Sequence, residues 1–216
     1  MDAPAIAGIG IAPHSGWAVV VAVGAPPECP VLVRRRIEVL AEGDPRQPWH
    51  QAQDLGLDAD DADALDERVF NGARAAAKAA MADVLAEVAA TGHRVGAVGI
   101  AGEPRDLPPA GEILRNHMLL HSAEGELYRS ALTCAAGEAG LPVTCFHPKA
   151  VPMAGYAELL ARVGKAAGRP WAADHRLATV VALEALETVE ATSEPKAMAN
   201  GNREPSPSGP RRHGPR

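Results

Sequence analysis

The residues that decide the fold are Ala5-Ile6-Ala7-Gly8-Ile9-Gly10-Ile11-Ala12-Pro13-His14-Ser15-Gly16-Trp17-Ala18-Val19-Val20-Val21-Ala22-Val23. Every residue from 5 to 12 is apolar or glycine, and residues 17–23 form a nearly continuous, largely β-branched run. Pro13-His14-Ser15-Gly16 between them is turn chemistry, so two strands joined by a tight turn follow. A strand that is apolar on both parities must be covered on both faces, which predicts a central place for residues 6–12.

Working outward, residues 25–30 break the chain, and residues 31–40 resume with Val33, Ile37 and Val39 on one parity and Arg34, Arg36 and Glu38 on the other. Such alternation predicts a third strand near a sheet edge, completing an antiparallel meander. Val69, Phe70, Ala73, Ala77, Ala80, Met81, Val84, Leu85 and Val88 recur at threes and fours and end at Gly92, as an amphipathic helix with a glycine cap does. Residues 95–102 then form an apolar strand after a crossover helix, expected to lie parallel to the first. A proline-rich turn at 104–109 leads into a long helix over 111–139, a buried strand over 141–146, a short helix over 154–167 and a last helix over 174–189.

The remaining segments read as additions to one domain spanning 1–192. Residues 41–67 carry nine acids and one base, which predicts a solvated acidic insertion at about 41–66. Asp58, Asp60, Asp61 and Asp63 within it lack the Gly at the sixth and the Glu at the twelfth position that a calcium-binding EF-hand loop needs. Residues 193–216 are rich in proline and arginine with little to bury, which predicts a disordered tail.

The charge excludes some functions. Lys and Arg number 21 against 27 Asp and Glu, so the net charge is −6 and any nucleic-acid site must be local rather than a bulk cationic surface. Three cysteines without a C-x-x-C pair exclude a disulfide framework and predict reduced thiols in a cytoplasmic protein. The apolar run at residues 6–13 is too short to span a membrane, and the alanine, glycine, proline and arginine content suggests a bacterial, GC-rich coding sequence. No G-x-G-x-x-G, Walker A or G-x-S-x-G pattern is present.

The order β-β-β-α-β-α-β-α-α resembles the ribonuclease H-like superfamily, and its details resemble the RuvC branch. In that family the first strand reads G-I-D-P-G before a hairpin; Gly8-Ile9-Gly10-Ile11-Ala12-Pro13 stands there in this chain. The family's fourth strand ends in a catalytic Glu, matched by Glu103 after Val98-Gly99-Ile100-Ala101-Gly102. Its last motif, D-A-A-D-A-L-A, is matched in its second half by Asp174-His175-Arg176-Leu177-Ala178. The resemblance implies a mixed five-stranded α/β sheet covered by helices, action on nucleic acid, and a divalent metal (Mg or Mn) serving phosphodiester hydrolysis. It carries the catalytic roles to Glu103, Asp174 and His175, with Glu112 as a substitute acid, while Gly10 removes the first-strand carboxylate. Glu103 and Asp174 also stand where helix-capping acids would.

A second constellation rests on helical geometry. At about 100° per residue, His117, His121, Glu124 and Tyr128 fall on one face of the long helix at spacings of four, three and four. Burying two imidazoles, a carboxylate and a phenol costs several kcal/mol unless they bond to one another or to a ligand. His117, His121 and Glu124 are therefore candidate metal ligands, with zinc as the cation and His147 or His175 as a further ligand. The alternative is a metal-free polar seam in which Glu124 bonds to His121. Three functions follow: a divergent RuvC-like protein acting on nucleic acid with weak metal-dependent phosphodiesterase activity, a non-catalytic ribonuclease H-like binding module, and a metal-dependent small-molecule hydrolase.

Overall fold

The computed structural model of the protein describes residues 3–193; residues 194–216 of the expected tail lie outside them. Strand β1 (Ala5–His14) is the middle of a five-stranded sheet of order β3-β2-β1-β4-β5, where β2 is Trp17–Gly24, β3 is Val31–Glu38, β4 is His93–Ala101 and β5 is Val143–Phe146. It pairs antiparallel with β2, Gly10 opposite Val21, and parallel with β4, Gly10 opposite Gly99. β5 continues the parallel half beside β4. Gly16 turns the hairpin at a φ of +77°, a conformation that side-chain-bearing residues resist.

The two parities of β1 meet two different layers. Ala7, Ile9 and Ile11 join Val20, Val98 and Ile100 in a core covered by helix α2 (Ala59–Ala90) and helix α4 (His117–Glu138). The opposite face is covered by helix α6 (Ala173–Ser193), with helix α5 (Ala157–Ala167) beside it. α6 lies so close to the sheet that a Cβ at Gly10 would sit 1.7 Å from the Ala178 carbonyl oxygen and one at Gly99 2.0 Å from that of Val181. Glycine on β1 and β4 is therefore a packing requirement: it lets the helix backbone rest directly on the strands.

Two sequence expectations need correction. The acidic stretch is not a solvated loop: it folds into helix α1 (Pro48–Asp54), which buries Trp49 and Ala52, and into the first turns of α2. Its acids belong to a helix start, where the Asp58 carboxylate accepts the Asp61 N–H at 3.0 Å and Asp60 and Asp61 face the positive end of the helix dipole. The helix expected over 111–139 is broken into a short α3 (Ala110–Ile113) and α4, because the Asn116 side chain leaves the helical path and accepts the Met118 N–H at 3.0 Å. His117 is thus the first residue of a helix rather than an interior one. Among the described residues no helix is long and apolar enough to cross a membrane.

Candidate functional site

The parallel strands β1, β4 and β5 end on one side of the sheet, and their carboxyl ends open onto a cleft of about 430 Å³. Its walls bring together His14 from the end of β1, Glu103 and Arg105 from the segment after β4, Arg129 from α4 and His147 from the segment after β5. This is the end of an α/β sheet at which diverging loops leave room for ligands.

Four of these five side chains have an identifiable positioning device. His14 Nε2 is 3.1 Å from Asp174 Oδ2 on the first turn of α6, and its ring stacks on Trp17 with centroids 3.9 Å apart and planes 5° from parallel. Arg129 passes beneath Gly102, where a Cβ would come within 2.4 Å of its Cδ, and Arg129 Nη2 donates to Glu126 Oε2 at 2.7 Å. The same Glu126 oxygen accepts the Arg105 backbone N–H at 3.1 Å, and Arg105 Nη1 reaches Ser122 Oγ at 3.3 Å. His147 Nδ1 accepts the Lys149 backbone N–H at 3.1 Å, which leaves its Nε2 uncommitted. Glu103 is exposed in the cleft wall.

Of the acids expected to act together, Glu103 lines the cleft and Asp174 reaches it through His14, whereas His175 is turned to its own helix start. His175 Nδ1 accepts the Ala172 N–H at 3.1 Å, and burial, reinforced by the Arg34 guanidinium, holds its pKa below the usual imidazole value. Glu112 lies exposed on α3, outside the cleft walls. The two-metal arrangement that the fold implies does not fit these residues. Gly10, which stands where the family's first-strand acid would, is sealed beneath α6, and Ala12, two residues on along the same face, is buried without a carboxylate. Asp174 is already engaged with an imidazole.

The second constellation assembles differently from the helical projection. His117 and His121 are exposed, and their Nε2 atoms lie 3.1 Å apart. Glu124 is 1% exposed and bonds to neither; its Oε1 faces His50 Nδ1 at 2.8 Å and accepts the His50 backbone N–H at 3.2 Å. Tyr128 is buried and donates to the Arg46 carbonyl at 2.9 Å, with burial pushing its phenol up to about 12. The expected fully buried seam is therefore split: its upper half stands in solvent because α4 begins at His117, and its lower half pins residues 46–50. His50 completes a group in which one ligand atom from each of His50, His117 and His121 lies within 4.8 Å of the others. His147 and His175, the ligands expected to complete the row, are not part of it.

His14, His50, Arg105 and Arg129 were not singled out by sequence. The signals available were Pro48 at the first position of a helix carrying Trp49-His50, and glycines at 102 and 125 facing an arginine.

No protein-family model matches the chain, and no curated protein sequence does. Among solved structures, RuvC of T. thermophilus in complex with a Holliday junction substrate superposes with a TM-score of 0.50 at 18% identity, over 87% of this chain and 95% of that one. A second Thermus thermophilus RuvC structure superposes with a TM-score of 0.49 at 15% identity, over 86% of this chain and 95% of the other. The meander-plus-parallel sheet, its helical cover and the superposition on the first of these structures show a ribonuclease H-like α/β fold of the RuvC-like form.

Proposed function

We propose that this protein binds the phosphodiester backbone of a nucleic acid in the cleft at the carboxyl ends of β1, β4 and β5. The observation that carries the reading is the convergence there of Arg105, Arg129, His14 and His147 in a protein whose overall charge is negative. Arginine and imidazole N–H groups suit phosphate oxygens, and a local cluster confers binding that bulk charge would oppose. That RuvC of T. thermophilus holds a Holliday junction on the same fold favours a branched duplex as the first substrate to test.

With two to four phosphates contacted, the slope of log affinity against log salt should be on the order of −2 to −4. Fluorescence anisotropy with a four-way junction, a plain duplex and a single strand tests this. Arg105→Ala, at an exposed position, and His147→Ala, at a half-buried one, should each weaken binding about tenfold, and the arginine change should flatten the salt slope by about one. Unchanged affinity in both variants would overturn the reading.

A second reading, weak phosphodiester hydrolysis, is favoured by one observation: exposed Glu103 shares the cleft with a histidine whose ring is fixed by a carboxylate. Asp174 orients His14, so the neutral imidazole is placed to accept a proton from water while Glu103 meets the substrate. Glu103→Gln and Asp174→Asn should then each abolish cleavage of the junction; cleavage that survives both would refute it. His175, committed through Nδ1 to the start of α6, serves in this scheme to place Asp174.

A further inference from the structure

We infer that His50, His117 and His121 form a binding site for a divalent cation of the zinc class, separate from the cleft, with Glu124 orienting His50. None of these four residues lines the cleft. The site joins α1 to the first turn of α4, and one ring nitrogen from each histidine already lies within 4.8 Å of the other two.

The distances suit a small cation. Zn–N bonds of about 2.0–2.1 Å at tetrahedral angles place neighbouring nitrogens about 3.3 Å apart. His117 Nε2 and His121 Nε2 are 3.1 Å apart, one helical turn from each other, and both rings are exposed with room to rotate. The three rings meet edge to face or tilted, with centroids 4.6 to 5.2 Å apart, rather than stacked on one another. Imidazoles that turn nitrogens rather than faces toward a common point are arranged as ligands are.

Glu124 supplies the second, independent observation. A carboxylate 1% exposed is expensive, and here its Oε1 serves His50 alone, through Nδ1 and the backbone N–H, while its Oε2 has no hydrogen-bond partner. A carboxylate that accepts a hydrogen bond from the Nδ1–H of a histidine fixes the tautomer in which Nε2 carries the free lone pair, the usual outer contact of a metal-bound imidazole.

The donor set decides the ligand class. Neutral imidazoles favour zinc, cobalt, nickel or copper over magnesium, calcium or manganese, which prefer oxygen. Three protein ligands with His117 and His121 facing solvent leave a fourth coordination position for water or an exogenous ligand.

The experiment uses the untagged full-length chain freed of metal with a chelator, titrated with Zn²⁺ against a chromophoric competitor and with Co²⁺ by visible absorption. One equivalent should bind tightly, Co²⁺ should give the intense absorption of a tetrahedral site, and Mg²⁺ in excess should not compete. His117→Ala and His121→Ala, at exposed positions, should each weaken binding at least about a hundredfold, and Glu124→Gln by about 10- to 100-fold. Because His50 is part of the α1 packing, its role is read in the wild type by nitrogen-15 NMR of the histidine rings. A shift of the His50 ring nitrogens at one equivalent of Zn²⁺ supports the site. Shifts confined to His117 and His121, or no saturable binding below about 100 µM, would overturn it.

Discussion

Replacing Gly10 by alanine is the sharpest perturbation of the fold, because the added atom would meet backbone rather than movable side chains. The new Cβ would lie 1.7 Å from the Ala178 carbonyl oxygen, 2.6 Å from its carbon and 3.0 Å from the Ala182 nitrogen. An ordinary carbon–oxygen contact needs about 3.2 Å or more, so α6 would have to retreat by roughly 1.5 Å along its contact with β1. Overpacking of a buried site costs about 1–3 kcal/mol and more where nothing can rotate aside; we expect about 3 kcal/mol or above, a fall in Tm of roughly 6–12 °C for a domain of this size. Gly10→Asp adds an unpaired buried carboxylate and should be worse, so it should not restore a metal-dependent nuclease site. The assay is thermal and urea unfolding alongside Gly137→Ala, a helical position where an added Cβ meets nothing within 4 Å. That control should be neutral or more stable by about 0.5–1 kcal/mol. If Gly10→Ala melts within about 2 °C of the wild type, α6 does not rest on the glycine stripe and the account of the missing acid fails.

Three other outcomes are expected. Burial first, then the Asp63 and Glu124 charges, push the Asp66 carboxyl from the usual 3.8 up to about 6 against a smaller opposing influence of the nearby Trp49 indole, so the folded state prefers it protonated. The stability this group contributes is present below about pH 4 and lost as pH rises past 6, about 3 kcal/mol in all; unfolding of metal-free protein across pH should show the loss, and Asp66→Asn should remove it and raise Tm at pH 8. Tyr128→Phe deletes the bond to the Arg46 carbonyl and should cost about 1 kcal/mol in urea unfolding. Glu124→Leu strands the His50 ring and backbone N–H groups and should cost about 1–3 kcal/mol; a neutral result would mean that α1 is held by Trp49 alone.

The fold was legible where a local pattern and its tertiary environment agreed. Both parities of β1 are apolar because both are covered, and the Arg34, Arg36 and Glu38 parity of β3 is polar because β3 is an edge. Even there the arginines are occupied: Arg34 donates to the Gly168 and Pro170 carbonyls, Arg35 pairs with Glu87, and Arg36 pairs with Glu38 over the Trp17 ring. Legibility failed at helix starts, where the same residues serve loops and caps. Asp58 and its acidic neighbours looked like a solvated insertion, and Asn116 is a single side chain that divides a periodic run. The candidate sites were half legible for a different reason. Glu124 and His121 are three residues apart and suggested a pair, but the partner Glu124 takes is His50, 74 residues distant, and only the packing of α1 on α4 brings them together. His14 and Asp174, 160 residues apart, meet for the same reason, since α6 crosses β1.

The central claim is that nucleic acid occupies the cleft where β1, β4 and β5 end. Backbone amide NMR of the isotope-labelled protein titrated with a four-way junction, at low salt and with a chelator present, tests it most directly. The account predicts concentration-dependent shifts clustered at residues 14–15, 102–103, 105, 147 and 149, reversed by added salt. Shifts confined to other surfaces, or none up to high micromolar junction, would contradict it.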